Sequence, residues 1–375
     1  MKIGVDARLL SYPVTGLGRY AWELCRALSN IKDVALYLYS PSPISNVVLG
    51  LKPKTIKTHS WSNRWLVHLW AESYLPLWAI EDEIDVFWGP SHRLPLFLPS
   101  RIARVVTIHD LVWKFAKETM HPTTYFSEKI LMPLAVRKAD LIVADSYSTR
   151  DALITELDVK PQKISVIPLA ASNIQNTPSF DFHKKYDIDG PYFLFVGTLE
   201  PRKNLANLLS AYASMPKSDK SKVMFVIVGG EGWGKVNLLN MITQLDLTER
   251  VKVLGHVDDA ALASLYANAQ FLVMPSLYEG FGLPIVEAMS YGTPVLTANN
   301  SSMPEVAGSA GLLVDALDVE SIADGLQEII TNNELRERLA KNAKLNASRY
   351  SWNESAKKLI TVFEKAIDLR KDKLA

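Results

Sequence analysis

The first half of the chain alternates short apolar runs with stretches of helical periodicity. The apolar runs that predict strands lie at residues 2–6, 34–40, 84–88, 104–108, 140–144 and 163–167. The stretches that predict helices lie between them, at residues 17–30, 123–138 and 146–157. Strands that alternate with helices are typical of a parallel sheet covered on both faces. The pattern therefore predicts a doubly wound α/β domain over residues 1–172.

The same alternation begins again after a polar segment. Residues 173–189 are rich in Asn, Ser, Pro and Asp, which predicts a linker. The next apolar runs lie at residues 192–197, 223–230, 251–255, 270–275 and 294–298. They predict a second doubly wound domain over residues 190–350, with ligands bound outside the carboxyl ends of the strands. Residues 318–372 predict nearly continuous helix, long enough to pack back across the junction between the domains.

Length and charge narrow the class of protein. The 375 residues suffice for two or three domains, and 41 basic against 40 acidic residues give no general attraction to nucleic acid. The single cysteine, Cys25, cannot form an internal disulfide, which fits a reducing compartment. The first ten residues lack the features of a signal peptide, and no apolar run reaches the roughly 18 residues that a membrane span needs.

The near-neutral total hides an uneven distribution. Residues 1–172 hold 20 basic and 16 acidic residues, whereas the remainder holds 21 basic and 24 acidic residues. Seven of the nine tryptophans also lie in the first part. We therefore expect the two domains to bind different partners.

Glycines follow the first predicted strand in the segment TGLGRYA. Gly16 and Gly18 open the first helix, and such a turn lets backbone N–H groups approach a phosphate. A nicotinamide-binding fold also needs an acidic residue at the end of the next strand, but that strand ends at Ser40. This argues against NAD, and a turn required only for strand-to-helix packing remains an alternative.

A second glycine-rich segment, GGEGWGK, begins at Gly229 after a predicted strand. It matches the Gly-x4-Gly-Lys pattern of a P-loop, but Val236 occupies the position of the magnesium-binding Ser or Thr. An ATPase is therefore disfavoured. The remaining interpretations are a loop that lets a ligand lie close to the strand ends and a plain turn.

Two adjacent cations, Arg202 and Lys203, follow the strand in VGTLEPRKNL. Adjacent cations in such a place can neutralise the charges of a diphosphate, and Arg can bind it in a bidentate manner. A solvated helix start explains the pair equally well from spacing alone.

The segment SLYEGFGLPIVEA places two carboxylates around the start of a helix. Glu279 and Glu287 are eight residues apart, with Gly280, Gly282 and Pro284 between them. Unpaired N–H groups are expected at such a helix start, and carboxylates accept hydrogen bonds from sugar hydroxyls. A glycosidase-type acid and base pair is the competing chemistry, and a chance pair in a surface turn is the third interpretation.

Histidine and aspartate add weaker signals. His109 ends the strand of VVTIHD at the same predicted sheet edge, although a lone histidine is more often structural. Asp187 and Asp189 have the spacing of a metal-binding pair, but they lie in the linker, and we interpret them as a loop. No His or Cys spacing supports a zinc site.

Together these stretches resemble the retaining glycosyltransferases of family 4, and most of all the bacterial mannosyltransferases of O-antigen and related polysaccharide assembly. The matching stretches are GVDARLL, TGLGRYAWEL, TIHDLVWKF, VADSYSTRDAL, FVGTLEPRKNL, PSLYEGFGLPIVEAMSYGTPV and SSMPEVAGSAGLLVD. The resemblance implies the GT-B fold of two facing Rossmann-like domains. It also implies that a C-terminal helix, at about residues 352–375, crosses back to the first domain.

The resemblance also implies roles for individual residues. Arg202 and Lys203 would hold the donor diphosphate and stabilise it as the leaving group. Glu287 would accept the ribose hydroxyls, Glu279 would contact the donor sugar, and His109 would lie near the sugar that is transferred. The further residues expected to bind substrate are Gly16, Gly18, Gly229, Gly280, Phe281, Gly282 and Leu283.

The reaction implied is transfer of a hexose with retention of configuration, without metal or cofactor. The expected donor is GDP-mannose, and the expected acceptor is a lipid-diphosphate-linked oligosaccharide. We therefore expect a cytoplasmic protein with peripheral contact to the inner membrane, and the Trp-rich stretch SWSNRWLVHLWAESYLPLW is a candidate for that contact or for the core. A sugar-nucleotide epimerase or hydrolase and a non-catalytic sugar-nucleotide-binding protein remain alternatives.

Overall fold

The computed structural model describes residues 1–11, 16–44, 51–60, 64–172, 185–234 and 237–373. Most of the predicted linker, residues 173–184, therefore lies outside the described residues, as do Lys235 and Val236 of the second glycine-rich segment. The chain forms two compact units. The first unit comprises Met1–Leu111, Thr123–Leu169 and Ser351–Ala375, and the second comprises Val112–Pro122 and Ala170–Tyr350.

The first unit contains a seven-stranded parallel sheet in the order β3-β2-β1-β4-β5-β6-β7. Its strands are β1 (Lys2–Asp6), β2 (Ala35–Ser40), β3 (Thr55–Thr58), β4 (Val86–Gly89), β5 (Ala103–Ile108), β6 (Leu141–Ala144) and β7 (Ile164–Val166). Six of them were predicted. The edge strand β3 was missed because its sequence, TIKT, is short and polar and has no buried side chain.

The second unit contains a six-stranded parallel sheet in the order β10-β9-β8-β11-β12-β13. Its strands are β8 (Tyr192–Val196), β9 (Met224–Val228), β10 (Val251–Gly255), β11 (Leu272–Met274), β12 (Val295–Ala298) and β13 (Gly311–Val314). The core includes stacked rings, with Phe193 between Phe225 and Phe271 at centroid distances of 4.5 and 5.1 Å. The edge strand β13 was not predicted, since it is a run of only four residues that begins with glycine.

The helices cover the sheets. In chain order they are α1 (Gly16–Ser29), α2 (Arg64–Glu72), α3 (Tyr74–Glu81), α4 (Val112–Phe115), α5 (Pro122–Lys138), α6 (Tyr147–Leu157), α7 (Leu205–Ser214), α8 (Lys217–Lys220), α9 (Leu238–Gln244), α10 (Asp259–Asn268), α11 (Leu283–Ser290), α12 (Met303–Ala307), α13 (Val319–Thr331), α14 (Asn333–Ala347) and α15 (Trp352–Asp372). Among the described residues, no helix is both long enough and apolar enough to cross a membrane.

The stretch 318–372, predicted as nearly continuous helix, is helical along most of its length but is divided into three helices. Asn332 has a non-helical backbone, and its side chain accepts a hydrogen bond from the N–H of Leu335, which starts α14. Such N-caps are a common way to start a helix. The second break comes before α15, where Ser351 is extended.

Helix α15 completes the first unit, as the resemblance predicts. Its buried Trp352 makes an edge contact with Tyr20 of α1. The Ser355 hydroxyl donates to the carbonyl of Pro168 over 2.7 Å, and Arg370 pairs with the buried Asp140 at 2.6 Å. The last helix therefore supplies both core packing and charge pairing to the first unit.

In each sheet the strand order reverses beside the first strand of the unit. Strand β1 lies between β2 and β4, and β8 lies between β9 and β11. In open parallel sheets, ligands bind outside the carboxyl ends of the strands where the order reverses. The loops after β8 and β11 are therefore where a site in the second unit is expected.

Candidate active site

The loop after β8 presents two cations side by side. Residues Pro201–Lys203 form a single 3-10 turn, and the proline fixes the backbone at its start. Asn204 ends the turn in the left-handed conformation, with a φ of 62°. Its side-chain amide donates to the carbonyls of Pro275 and Ala316 at 3.0 and 2.7 Å. The turn is thereby connected to the loops that follow β11 and β13.

Both cations meet Glu279, which lies in the loop after β11. The Arg202 guanidinium donates to Oε2 of Glu279 over 2.7 Å, and the Lys203 ammonium donates to Oε1 over 2.6 Å. Arg202 also donates to the carbonyl of Tyr278 and to the carboxylate of Glu200. The sequence placed these residues at the same sheet edge, and the structure brings them into direct contact.

Burial and charge set the protonation states in this cluster. Lys203 and Glu279 are 8 % and 7 % exposed. Burial favours the neutral acid, but the two cations outweigh it and lower the pKa of Glu279 to about 2. Burial lowers the pKa of Lys203, an effect that the Glu279 carboxylate opposes. The carboxylate is therefore ionised at neutral pH and holds both cations in place.

Two serines fix the Glu279 backbone, and the sequence analysis did not find them. The Glu279 N–H donates to the hydroxyl of Ser301, and the Ser302 hydroxyl donates to the Glu279 carbonyl. Both serines follow β12, the strand next to β11. They begin the stretch SSMPEVAGSAGLLVD, which contributes to the family resemblance, but the sequence assigned no role to either serine.

A glycine at the end of β9 allows close approach of the β8 loop. A Cβ atom at Gly229 would lie 1.8 Å from the carbonyl oxygen of Gly197, so no larger residue fits without moving the backbone. The two loops continue the parallel pairing, since Leu199 N–H donates to the carbonyl of Gly230 at 2.9 Å. Gly229 therefore allows the loops after β8 and β9 to lie against each other.

The helix that carries Glu287 begins beside the cation cluster. Gly282 caps α11 with a φ of 96°, a conformation that favours glycine, and Pro284 lies in the first turn. Gly280 and Phe281 are buried, and Leu283 is half-buried at the first helical position. The first N–H groups of a helix have no partner within the helix, and helix N-termini of this kind commonly bind phosphate.

Glu287 is buried on α11, and Tyr266 of α10 holds it. The Tyr266 hydroxyl donates to Oε2 of Glu287 over 2.9 Å, and the Tyr266 ring stacks on that of Tyr291. Tyr266 was missed by sequence reasoning, because it lies in an ordinary helix pattern. The hydroxyl of Tyr266 thus fixes the orientation of the Glu287 carboxylate.

The segment Val112–Pro122 also belongs to the second unit, although we expected it within residues 1–172. The Phe115 ring stacks on Tyr278, with centroids 5.2 Å apart, and the Trp233 indole donates to the carbonyl of Thr119 over 2.6 Å. Tyr278 directly precedes Glu279, so this aromatic packing adjoins the site. Aromatic packing of this kind has no sequence pattern that would reveal it.

His109 belongs to the first unit, where it follows β5. Its Nδ1 lies 2.6 Å from Oδ2 of Asp145, and its Nε2 lies 2.7 Å from the carbonyl oxygen of Pro90. The ring is buried, with the edge of Tyr20 against it. Burial disfavours the imidazolium, but these acceptors outweigh it and raise the pKa of His109. Both ring nitrogens therefore face acceptors inside the first unit.

The other positions singled out in the sequence lie in the first unit and at the start of the second. Gly16 starts α1, and a Cβ at Gly18 would lie 3.4 Å from the Leu9 carbonyl. Ser40 ends β2, and its hydroxyl donates to the carbonyl of Ser42 over 2.7 Å. Asp187 pairs with Lys252 at 2.7 Å on the surface, in keeping with its interpretation as a loop residue.

Two family descriptions match the chain. Residues 14–171 match Glycosyltransferase Family 4, and residues 178–346 match Glycosyl transferases group 1. The O-antigen chain mannosyltransferase B of Escherichia coli is 31% identical over 97% of this chain and 100% of its own length. This chain is a family 4 glycosyltransferase.

Other comparisons agree with this assignment. The O-antigen chain mannosyltransferase RfbU of Salmonella typhimurium is 28% identical to this glycosyltransferase, over 84% of this chain and 87% of its own length. The crystal structure of Anabaena Alr3699/HepE in complex with UDP and glucose matches with a TM-score of 0.75 at 20% identity, over 97% of this chain and 99% of that one. The structural match shows that the fold of this glycosyltransferase is GT-B.

Proposed function

We propose that this glycosyltransferase transfers mannose from GDP-mannose, with retention of configuration, to a lipid-linked glycan in O-antigen or related polysaccharide assembly. The observation that carries the chemistry is the contact of Arg202 and Lys203 with Glu279 where the strand order of the second unit reverses. Mannose as the sugar is supported by the names of the relatives.

The cations act on the leaving group. When the bond between the sugar C1 and the diphosphate oxygen breaks, negative charge develops on the diphosphate. Fixed cations at that place stabilise this charge, which is commonly the largest contribution to catalysis. Glu279 already holds the side chains of Arg202 and Lys203 next to each other, so their charges are positioned before the bond breaks.

The transfer step conserves every atom. The acceptor hydroxyl oxygen bonds to C1 on the face that the diphosphate leaves, and its proton goes to the leaving phosphate oxygen. Glu279, ionised at neutral pH, accepts a hydrogen bond from a hydroxyl of the donor sugar. Glu287, oriented by Tyr266, accepts the ribose hydroxyls. The N-terminus of α11 between these two carboxylates is suited to the diphosphate.

The two cations supply the positive charge that a divalent metal provides in other sugar transferases, so we propose transfer without a metal or another cofactor. The expected result is full turnover in the presence of EDTA. If EDTA abolished turnover and added Mg²⁺ or Mn²⁺ restored it, this part of the proposal would be contradicted.

The first unit is proposed to bind the acceptor, with His109 and the α1 start at Gly16 and Gly18 at its carboxyl edge. The first unit also exposes apolar side chains on α2 and α3, which are proposed to contact the cytoplasmic face of the inner membrane. They are Leu66, Leu69, Tyr74, Leu77 and Ile80. Trp70, in contrast, is fully buried, so this part of the Trp-rich stretch belongs to the core.

The experiment that tests the function offers the protein a panel of labelled sugar nucleotides, with and without a lipid-linked acceptor, and determines the product linkage by NMR. Transfer from GDP-mannose to give an α-linkage is the expected result. Free sugar or an epimer formed at rates independent of acceptor would instead indicate a hydrolase or epimerase. Binding of the nucleotide without turnover of any donor would indicate a non-catalytic protein.

A further inference from the structure

A cavity of about 520 Å³ lies in the first unit, at the end of the sheet opposite the carboxyl ends of the strands. Two of its lining residues, Asp140 and Lys163, directly precede β6 and β7. The other walls come from the ends of α5 and α6 and from α15. The proposed function uses none of these residues.

Four cations line this cavity, and within the described residues none of them forms an ion pair with a carboxylate at 4 Å or less. Three of them, Arg137, Lys160 and Lys365, form no side-chain hydrogen bond or ion pair within the described part of the chain. The fourth, Lys163, is half-buried and donates to the carbonyls of Val136 and Arg137, which end α5. Burial lowers the pKa of Lys163. The carbonyls at the end of α5 are therefore the structural partners of Lys163. The other three cations have no such partner among the described residues.

The acidic residues of the cavity do not balance these cations. Asp140 already pairs with Arg370 at 2.6 Å and with Lys373 at 3.1 Å, so two further cations neutralise it. Asp158 is exposed at the end of α6, where it holds the left-handed backbone conformation that closes the helix. The cavity therefore keeps an excess of positive charge, which attracts an anion.

The inner wall of the cavity is apolar. Five aliphatic residues contribute to it, and they are Val136, Leu141, Leu157, Val159 and Leu369. A free inorganic anion would leave this wall in contact with water, whereas a ligand with an apolar body would cover it. The volume lies in the range of small-molecule sites.

We propose that this cavity binds an anionic amphiphile, in which a phosphate group meets Arg137, Lys160 and Lys365 and an apolar body covers the aliphatic wall. The guanidinium of Arg137 can bind a phosphate through two parallel hydrogen bonds, and the lysines add point charges. The same chemistry occurs in a lipid headgroup region and in a soluble phosphate ester, so the test separates these two sources.

The test uses the full chain with octyl phosphate, octyl glucoside and inorganic phosphate, measured by calorimetry at low salt. Octyl phosphate is expected to bind at least about 10-fold more tightly than either the uncharged octyl glucoside or inorganic phosphate. Its affinity is expected to fall as salt rises, because the charges are partly exposed. Equal affinities for octyl phosphate and inorganic phosphate would refute the role of the apolar wall.

The charge-reversal variant K160E/K365E removes two of the exposed cations, and K32E/K54E is its matched control. The control changes the net charge by the same amount at two exposed lysines of the first unit outside the cavity. We expect K160E/K365E to lose at least about 10-fold in octyl phosphate affinity and the control to retain it. Both variants should keep the transferase turnover of the wild type. Equal affinity in all three proteins would overturn the proposal.

A second variant, Leu369→Asn, tests the apolar wall without changing charge. It should weaken octyl phosphate binding and leave the affinity for inorganic phosphate unchanged. Co-sedimentation with phosphatidylglycerol vesicles then identifies the source. Loss of this binding in K160E/K365E, but not in K32E/K54E, would assign a lipid headgroup, and equal vesicle binding by all three proteins would assign a soluble ester.

Discussion

The ammonium of Lys203 lies 2.6 Å from Oε1 of Glu279, and both side chains are almost completely buried. A buried pair of this kind contributes little relative to an apolar pair, but removal of one partner leaves the other charge uncompensated. Glu279 pairs with two cations, because Arg202 lies 2.7 Å from its second carboxylate oxygen. The cluster is therefore a single electrostatic unit, and a change at one residue affects the other two.

Glu279→Gln should destabilise the protein by about 3 kcal/mol at neutral pH, because it leaves the buried Lys203 without its paired carboxylate and leaves Arg202 paired with Glu200 alone. The wild type gains this stability above the ordinary pKa of a glutamate and loses it as pH falls toward 2, since the folded-state pKa is depressed to about 2. Urea unfolding at pH 7, 5 and 3.5 should show a constant difference at the two higher values and a smaller one at pH 3.5. The exposed Glu354→Gln is the control, and a difference that stays the same at pH 3.5 would contradict the pairing.

Arg202→Ala and Lys203→Ala should each reduce turnover by at least about 10-fold, because each removes a charge from the leaving group. Arg202→Lys keeps the positive charge but lacks the planar guanidinium that forms two parallel hydrogen bonds. It should therefore retain more activity than Arg202→Ala. Initial rates at saturating donor measure this, with circular dichroism as the check on folding. Near-normal transfer by the double alanine variant would rule out the proposed role of the cations.

Glu287→Ala should chiefly weaken nucleotide binding, by at least about 10-fold, because a charged hydrogen-bond acceptor is lost. Tyr266→Phe removes only the hydroxyl that orients Glu287, so its loss of affinity should be smaller. Calorimetry with the nucleotide diphosphate alone measures both values. An unchanged affinity in Glu287→Ala would count against a ribose contact.

Asp145→Asn should destabilise the protein more at pH 6 than at pH 9. The pKa of His109 is raised, so the contribution of its charged form is present below its ordinary pKa and is lost as pH rises through the folded-state value. A loss of about 3 kcal/mol is expected at pH 6, where the variant leaves the imidazolium buried without its carboxylate. Urea unfolding at the two pH values tests this, and Asp151→Asn on the exposed face of α6 is the control. Equal losses at pH 6 and 9 would show that His109 is not charged in the folded state.

The sequence could predict the fold and the location of the site, because both depend on patterns along the chain. Buried parallel strands are continuous apolar runs, and the loops at their carboxyl ends carry the glycines and charges that stand out. The edge strand β3 has no such run, and the break at Asn332 rests on one side-chain hydrogen bond. These features follow from local polar contacts that apolar periodicity does not record.

The partners within the site could not be predicted, because they depend on side-chain geometry across the sheet edge. Spacing placed Lys203 and Glu279 at neighbouring strand ends but did not show that they touch. It also gave no sign that Tyr266 orients Glu287 from another helix. The partners of His109 could not be predicted either. The resemblance placed this residue near the sugar, and in the structure both of its ring nitrogens face acceptors of the first unit.

The return of α15 to the first unit has a consequence for how the protein is made. Its buried side chains, Trp352 and Phe363 among them, complete a core whose other parts precede Ala170–Tyr350, the larger segment of the second unit. Domains generally fold in the order in which they leave the ribosome. Here the first unit emerges first but lacks its last helix until synthesis has passed Asp372, so the second unit can reach its native state while the first still exposes apolar surface. The unit that begins the chain is therefore the last to complete its core.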